Sequence, residues 1–323
     1  MIRRLFSLLA LLSLAFAALA QDYPSRTVRM VNGFTPGGGS DTTGRLFAER
    51  LTEMWKRQVY VENRPGAGGA IAAEVVHKAP ADGYTVLIFA NTQMISQVVY
   101  GNLTFDMLSD FVPIALASNG PLVIAVNPSK VSAKNLKEFT ALLKSEPGKH
   151  AYTACNVAAA PHFAMEMYKN ALGLKALHVP HKGCGPAVND LVAGHIGIGA
   201  VTLATALPFI KQGRLQAIAL LSAERSVGAP DIPTVRDSGI PELKNFSFES
   251  YFGFMMAKGT PVAIARQVEA DILKVAAIPE VRKRIENSGM DMFVRDSKSM
   301  AGIMRTDYEN LARIAKEVGI KAE

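Results

Sequence analysis

The feature that most constrains the fold is a repeated alternation of short apolar segments with amphipathic segments from about residue 26 onward. Residues 26–34 predict a strand, and residues 42–55 predict a helix whose apolar side chains share one face. Residues 84–90 form a continuous apolar run, which is typical of a strand buried on both faces of a parallel sheet. Strands that alternate with helices in this way indicate the α/β class.

The alternation continues along the chain. Further strands are predicted at residues 59–62, 122–126, 151–153, 177–179, 196–201 and 215–221, and residues 246–256 are apolar and aromatic. Helices are predicted at residues 70–78, 135–144, 162–172, 186–193, 262–276, 279–288 and 299–318. Roughly 300 residues with this pattern are enough for two domains with separate cores, so two α/β lobes are predicted.

The first 20 residues have the pattern of a secretory signal peptide. Arg3 and Arg4 precede an apolar run over residues 5–20 that ends in small residues, and the chain turns polar directly afterwards. We therefore predict that residues 1–20 are cleaved and that the mature chain is exported to the periplasm. An uncleaved membrane anchor is the alternative interpretation. The first cysteine is Cys155, so a lipid tether at the cleavage point is not predicted.

The charge of the chain does not indicate nucleic-acid binding. The formal net charge is +7, and without Arg3 and Arg4 it is 7 − 2 = +5, spread along the chain without a run of Lys and Arg. The two cysteines, Cys155 and Cys184, leave two possibilities in an oxidising compartment. They form one disulfide that closes a loop of about 30 residues, or they remain free thiols.

Two Gly-rich segments follow predicted strands and precede predicted helices. This context presents backbone N–H groups at a helix N-terminus, which suits an anion. Thr42 and Ile71 stand where the third Gly of a dinucleotide-binding motif is required, and neither segment has a P-loop ending. We interpret the first segment as a candidate anion loop. The glycines of the second segment are interpreted mainly as turn and packing residues.

Signals for catalysis and metal binding are weak. His178 and His181 are three residues apart, but Pro180 prevents a helix that would bring them onto one face. Cys155 and His162 lack an orienting third group for nucleophilic chemistry, and no hydrolase motif occurs. We predict no enzyme activity, no catalytic residue, no metal and no cofactor. A cofactor-dependent α/β enzyme is the alternative class.

Several motifs resemble the extracytoplasmic solute receptors of tripartite tricarboxylate transporters, the Bug family. The three most specific blocks are FTPGGGSD at residues 34–41, VENRPGAGG at 61–69 and PADGYT at 80–85. Further similarity occurs at DFVPI (110–114), VPHKG (179–183) and DIPTV (231–235). The resemblance covers essentially the whole mature chain.

The resemblance implies a type II periplasmic-binding-protein fold, in which two α/β lobes close on a ligand between them like a Venus flytrap. The crossing strands would fall near residues 122–128 and 246–257. Residues 21–123 with 249–323 would then form the first lobe, and residues 124–248 the second. The implied protein is a monomer that binds a small carboxylate and delivers it to membrane permease subunits. Delivery to a signalling receptor is the alternative.

The resemblance also implies the ligand-binding residues. In the first lobe they are Phe34, Pro36, Gly38, Gly39, Ser40 and Asp41. Backbone N–H groups would face the ligand carboxylate, and Asp41 would bind an intervening water or a ligand donor, since a direct contact would be repulsive.

The facing loop of the second lobe departs from the family pattern. Its implied binding residues are Thr153, Asn156, Ala158, Ala159 and His162. Relatives usually have hydroxyl side chains in this turn, whereas this chain has mostly alanine, so backbone N–H groups would bind the anion. Fewer polar groups and more methyl groups favour a ligand with an apolar body, such as an aromatic or longer-chain acid, over citrate.

Overall fold

The computed structural model describes residues 23–320, so the predicted signal peptide, residues 1–20, lies outside the described residues. Within residues 23–320 strands and helices alternate, as predicted. The strands are β1 Val28–Asn32, β2 Val59–Asn63, β3 Thr85–Ala90, β4 Phe111–Val126, β5 Ala151–Thr153, β6 Leu177–Val179, β7 Ile198–Thr202, β8 Gln216–Leu220, β9 Glu249–Ala257 and β10 Asp291–Asp296. The helices are α1 Gly39–Trp55, α2 Ala70–His77, α3 Asn91–Tyr100, α4 Leu136–Ser145, α5 Ala160–Leu172, α6 Cys184–Ala193, α7 Leu203–Lys211, α8 Val262–Ala276, α9 Pro279–Asn287 and α10 Ser297–Val318.

The first lobe contains a mixed sheet with the order β2-β1-β3-β9-β4, and β10 also pairs with β4. Strands β1, β2 and β3 are parallel to one another, and β9 runs antiparallel to β3 and β4. Alternate residues of β1 enter different buried clusters, with Val28 and Met30 on one side and Val31 on the other. Both faces of this sheet are therefore covered, as expected for strands with continuous apolar sequence.

The second lobe has its own sheet, in which β7 and β8 pair with β4 and the parallel strands β5 and β6 continue from β7. A buried cluster around Phe139, Phe163 and Tyr168 packs against this sheet. The same cluster extends into the first lobe through Leu87 and Phe89 of β3. The two lobes thus share a continuous apolar junction.

Strand β4 joins the two sheets. Residues 111–121 pair with β9 of the first lobe, and from Leu122 onward the strand pairs with β7 of the second lobe. At 16 residues it is the longest strand in the described part of the chain, and both of its ends are anchored in a sheet. The predicted crossing near residues 122–128 therefore overlaps the last five residues of a longer strand. Helix α3 and strand β10 were not predicted from the sequence.

Several helices begin earlier than predicted. Helix α1 begins at Gly39, α5 at Ala160 and α6 at Cys184, whereas the sequence predicted residues 42, 162 and 186. The usual sequence signal of a helix start is a Ser, Thr, Asp or Asn side chain that caps the first turn. These helices start after glycine or alanine, so that signal is absent. Within residues 23–320 no helix is long and apolar enough to cross a membrane.

A substitution in β9 tests the close approach of β4 and β9. A Cβ at Gly253 would lie 2.4 Å from the backbone oxygen of Ala115, which is too close without movement of a strand. We expect Gly253→Ala to lower the free energy of unfolding by about 1–3 kcal/mol, since overpacking forces backbone shifts. Thermal and urea unfolding of the purified chain measure this change.

The matched control is Gly302→Ala on the exposed side of α10, where a Cβ would meet nothing within 4 Å. This change should be neutral or stabilise the chain by about 0.5–1 kcal/mol, because alanine is the better helix former. Equal effects of the two substitutions would contradict the packing argument.

Candidate functional site

A cavity of about 400 Å³ lies between the two lobes. Most of the segments that line it directly follow six parallel strands, β1, β2 and β3 in the first lobe and β5, β6 and β7 in the second, and Ser250 and Phe252 of β9 complete the lining. The carboxyl ends of parallel strands are where α/β proteins place their ligand sites. The parallel strands of both lobes therefore end at one cavity, and the segments that come after them in the chain line it.

Six helices begin at this cavity. Their N-cap residues all line it, and these are Gly38 for α1, Gly69 for α2, Ala90 for α3, Ala159 for α5, Gly183 for α6 and Thr202 for α7. None of the six N-cap residues accepts a capping hydrogen bond through its side chain within the described residues. Of the four described helices that begin elsewhere, α4 and α10 are capped by Asn135 and Asp296, whereas α8 and α9 begin after Pro261 and Ile278 without a side-chain cap. N-cap residues without a capping side chain thus surround the cavity, and among the N–H groups there the Ala90 N–H is bound by Gln93 Oε1 and the Ala160 N–H by the Thr92 hydroxyl.

Helix N-termini carry partial positive charge, and their N–H groups can donate to an anion. The remaining lining residues do not oppose this charge, because no Asp or Glu is among them in the structure of residues 23–320. Lys182 lines the cavity and is exposed, so it adds positive charge at the opening. Ser40, Thr35 and Ser250 also bring hydroxyl groups to the lining. The cavity is therefore built to accept negative charge.

The first-lobe loop places four of its six predicted residues in the lining, Phe34, Gly38, Gly39 and Ser40. Pro36 and Asp41 lie outside it. A Cβ at Gly39 would lie 2.7 Å from the ring of Phe252, so only glycine allows this ring to pack against the start of α1. Phe252 is itself part of the lining.

Asp41 is buried and its carboxylate is bound by protein groups. Its two oxygens accept hydrogen bonds from Asn63 Nδ2 at 2.8 Å, Arg45 Nε at 2.9 Å and the Gly37 N–H at 3.0 Å. Burial by itself raises the pKa of Asp41, but the hydrogen bonds from Arg45, Asn63 and Gly37 outweigh it and hold the pKa below its ordinary value. The charge of Asp41 thus fixes the shape of the loop.

In the second lobe, Asn156 and Ala159 line the cavity, whereas Thr153, Ala158 and His162 lie outside the lining. The Thr153 hydroxyl lies 2.9 Å from His181 Nδ1, and His181 Nε2 donates to Asp190 at 2.7 Å. His181 lines the cavity, so Thr153 contacts a lining side chain.

His162 points into the interior of the second lobe. Its ring stacks on that of His178 with 3.9 Å between the centroids, and both rings are largely buried. Desolvation lowers the pKa of His162 to about 4, and it lowers that of His178 to about 3. Both rings are therefore neutral at ordinary pH.

Several lining residues were not predicted from the sequence. They are Thr35, Pro65, Gly66, Ala67, Gly68, Gly69, Ala90, Thr92, Tyr100, Cys155, His181, Lys182, Gly183, Cys184, Thr202, Ser250 and Phe252, with Gly33 and Pro161 at the edges of the predicted segments. The second Gly-rich segment lines the cavity as well as forming a turn. The available signal was its position after a strand and before a helix, the same context that pointed to the first segment.

Cys155 and Cys184 form a disulfide, with 4.2 Å between their Cα atoms. This finding decides between the two interpretations of the cysteine pair. Residues 23–320 contain no group of three or more His, Cys, Asp and Glu side chains that could hold a metal ion.

The lobes contact each other across the cavity. The Ala160 N–H at the start of α5 donates to the Thr92 hydroxyl of α3 at 3.3 Å. Gly183 lies against Thr35, since a Cβ at Gly183 would be 3.0 Å from the Thr35 side chain. The cleft is therefore closed around the cavity in this structure.

Comparison with known proteins agrees with this architecture. A model of the family described as "Tripartite tricarboxylate transporter family receptor" matches residues 43–320. The chain belongs to this family. The receptor is 29% identical to the protein BugT from Bordetella pertussis (strain Tohama I) and 30% identical to a second protein of the same organism. These alignments cover 97% and 99% of the receptor and 95% and 98% of the two relatives.

Solved structures share the fold of the receptor. A periplasmic transporter is 32% identical with a TM-score of 0.86, and the R. palustris protein Rpa4515 with adipate is 25% identical with a TM-score of 0.88. Each match covers 93% of the receptor and 99% of the other chain. MatC from Rhodopseudomonas palustris with bound malate is 25% identical with a TM-score of 0.83, covering 90% and 99%. The predicted two-lobed periplasmic-binding-protein fold is confirmed, and membership of a receptor family confirms that the chain is not an enzyme.

The stacked histidines predict a pH dependence of stability. His162 has a folded-state pKa of about 4, below its ordinary value of 6.5, so its stabilising effect is complete above pH 6.5 and is lost as the pH falls towards 4. We expect His162→Gln to reduce the loss of stability between pH 7 and pH 4.5 by on the order of 2 kcal/mol. Thermal unfolding of the parent receptor and of His162→Gln at several pH values between 7 and 4.5 gives, for each protein, the slope of stability against pH.

His195→Gln is the control, because the His195 side chain is 72% exposed. Its slope should differ from that of the parent receptor far less than the His162→Gln slope does, because an exposed contact such as that of His195 with Asp190 contributes little to stability. A His162→Gln slope equal to that of the parent would contradict the assignment of a neutral, desolvated His162.

Proposed function

We propose that the receptor captures a small organic acid in the cavity and that backbone N–H groups of the surrounding helices bind its carboxylate. The observation that carries this proposal is the convergence of six helix N-termini, whose N-cap side chains accept no capping hydrogen bond, on one cavity whose lining has no Asp or Glu in the described chain. Such groups favour an anion over a neutral or cationic solute. The adipate and malate bound to the two similar R. palustris proteins are both organic acids.

We propose two roles for the predicted site residues. Phe34, Gly38, Gly39, Ser40, Asn156 and Ala159 contact the ligand, and their position in the lining supports this role. The other predicted residues lie outside the lining, and we propose that they hold the lining residues in place. They are Pro36, Asp41, Thr153, Ala158 and His162. The hydrogen bonds of Asp41 to Gly37, Arg45 and Asn63, and the contact of Thr153 with His181, are the basis for the second role.

The proposed ligand has an apolar body, as in an aromatic or longer-chain acid. Phe34 and Phe252 line the first-lobe side, and Ala159, Pro161 and the Cys155–Cys184 bridge line the second-lobe side. The side chains of these residues offer no hydrogen-bond donor. A body of methylene or aromatic groups would remove apolar surface from water on both sides of the cavity.

The proposed lobes comprise residues 21–123 with 249–323 and residues 124–248. The change of partners within β4 between Pro121 and Leu122 supports the first boundary. The pairing of β9 with the first-lobe strands from Glu249 onward supports the second. We propose that ligand release requires the lobes to rotate about these crossings, which would break the bond between the Ala160 N–H and Thr92.

In the cell, the proposed receptor is a periplasmic monomer, exported by residues 1–20, that delivers the acid to permease subunits of a tripartite transporter. Membership of the tripartite tricarboxylate transporter receptor family supports the proposal that the permease subunits are the partner. Uptake of the acid by cells that lack the receptor gene tests delivery. Loss of uptake in these cells supports delivery to the transporter. Unchanged uptake, together with loss of the transcriptional response of the cells to the acid, would instead identify the receptor as a sensor.

A thermal-shift screen tests the ligand class. The mature chain, stripped of ligand by unfolding and refolding, is mixed with benzoate, octanoate, adipate, malate and citrate, with the corresponding amides as neutral controls. We expect stabilisation by acids and not by amides, with the largest shifts from acids that have an apolar body. A ligand at 1,000 times its dissociation constant stabilises the chain by about 4 kcal/mol.

Stabilisation by the amides, or by neutral solutes alone, would contradict a carboxylate site. Stabilisation by citrate above all the others would leave the carboxylate site standing but contradict the apolar body.

A charge substitution tests the electrostatic basis of binding. Asn156 is half-buried in the lining, so Asn156→Asp places a negative charge in the cavity with little change of volume. We expect affinity for the acid to fall by about 10-fold or more through like-charge repulsion. Isothermal titration calorimetry measures the dissociation constants.

Asn310→Asp on the exposed surface of α10 is the matched control for the change in net charge. Its affinity should equal that of the parent receptor. Equal losses in both variants would indicate that the overall charge of the receptor, and not the cavity, controls binding.

A further inference from the structure

The Cys155–Cys184 disulfide lies in the wall of the cavity. Both cysteines are lining residues, Cys155 fully buried and Cys184 half-buried. The bond joins residues 29 positions apart in the sequence, and both lie in the second lobe. The bond therefore borders the space where the ligand is proposed to bind.

The disulfide joins two segments that each lead into a helix at the cavity. Cys155 precedes the N-cap of α5, Ala159, by four residues, and Cys184 is the first residue of α6. A backbone hydrogen bond of 2.6 Å from the His181 N–H to the Cys155 oxygen runs between the same two segments. The starts of α5 and α6 are therefore tied together by one covalent bond and one hydrogen bond.

The segment before α5 needs such a tie, because its backbone is in a conformation that L-residues disfavour. Cys155 has φ = 62° and Ala158 has φ = 58°, both in the left-handed region. Residues stay in this region when their surroundings hold them there. Neither Ala159 nor Gly183, the N-cap residues of α5 and α6, accepts a capping hydrogen bond through its side chain, although the Ala160 N–H of α5 donates to the Thr92 hydroxyl of the first lobe. The disulfide is the covalent tie on this segment, which is also held by burial and by hydrogen bonds such as that from the Ala160 N–H to the Thr92 hydroxyl.

We propose that the Cys155–Cys184 disulfide is a positioning element of the ligand site. It holds the first turns of α5 and α6 at the spacing at which their N–H groups converge on one carboxylate. The inference rests on the proposed function, and it assigns to the bond a contribution to affinity that a staple far from the cavity would not make.

The physical basis is preorganisation. Donors that are held in place before binding lose less conformational freedom when the ligand arrives, so the same contacts give a higher affinity. Binding sites lose much of their strength when the supporting structure lets the donors move by about 1 Å. Because coupling between two events is reciprocal, a ligand that prefers the bridged receptor must also stabilise the bridge against reduction by the same factor.

The first measurement compares affinities. The receptor contains two cysteines, so a phosphine reductant has one disulfide to act on. Calorimetric titration with octanoate, benzoate and adipate is done on the oxidised receptor, on the reduced receptor and on Cys155→Ala/Cys184→Ala. We expect the last two to bind the acid at least about 10-fold more weakly, within the usual range of coupling between sites.

Phe139→Leu separates affinity from stability. Phe139 is fully buried in the second lobe against Tyr168 and is not in the lining. This variant should lose thermal stability and keep the parent affinity. If Phe139→Leu weakens binding as much as loss of the disulfide does, the bond acts through stability alone and the inference is wrong.

The second measurement tests whether the ligand stabilises the disulfide by the same factor by which the disulfide strengthens ligand binding. The fraction of reduced receptor is determined in dithiothreitol redox buffers with and without a saturating amount of the same acid. The ligand should shift the equilibrium towards the disulfide by the factor found in the affinity ratio. An unchanged equilibrium contradicts the inference and leaves the carboxylate site intact.

A third measurement needs no ligand and keeps the two proposals separate. Amide hydrogen exchange of residues 156–160 and 183–187 should become faster on reduction, while exchange in the first lobe stays unchanged. If no acid binds the oxidised receptor, the proposed function fails. If these amides exchange at the same rate with and without the bond, the positioning inference fails whatever the ligand is.

Discussion

Strand β4 is the constraint on which the rest of the structure depends, because it belongs to both sheets. Its first eleven residues pair with β9 and its last five with β7, so the two lobes are built outward from one continuous segment. A strand that is anchored at both ends cannot slip without disrupting both sheets. The relative placement of the parallel strands in the two lobes follows from it. Their carboxyl ends face the same cleft, and the segments that leave them meet there.

This convergence determines the chemistry of the cleft before any side chain is considered. Each helix that follows a parallel strand begins at the carboxyl end of that strand, and six such helix starts surround one cavity. N–H groups in a first turn need partners. At α4 and α10 the N-cap side chain supplies one, whereas the Gly, Ala and Thr at the N-cap positions around the cavity do not, and neither do Pro261 and Ile278 before α8 and α9. The cavity thus combines backbone donors with small residues that let a ligand approach them.

The two lobes organise these donors differently. In the first lobe the carboxylate of Asp41 is turned away from the cavity and binds Gly37, Arg45 and Asn63, which fixes the loop from behind. In the second lobe, the Cys155–Cys184 bond and the contacts of His181 with Thr153 and Asp190 support the loop instead. Charge and hydrogen bonds stabilise one loop, and a covalent bond stabilises the other. In both cases the supporting residues are close to the ligand space, and the groups that face it are mostly backbone and apolar.

The sequence by itself determined the α/β class, the order of most strands and helices, the receptor family and the first-lobe loop from Phe34 to Ser40. These features follow from local periodicity and from contiguous motifs, which residues close in sequence can specify. Only the tertiary structure decided that the segments 65–69 and 181–184 share the cavity, that Cys155 and Cys184 are bonded, and that His162 stacks on His178. The physical reason is that each of these features depends on how separate strands are ordered in a sheet. The early starts of α1, α5 and α6 were missed for a local reason, because a helix that begins after Gly or Ala lacks the capping residue by which a sequence marks a helix start.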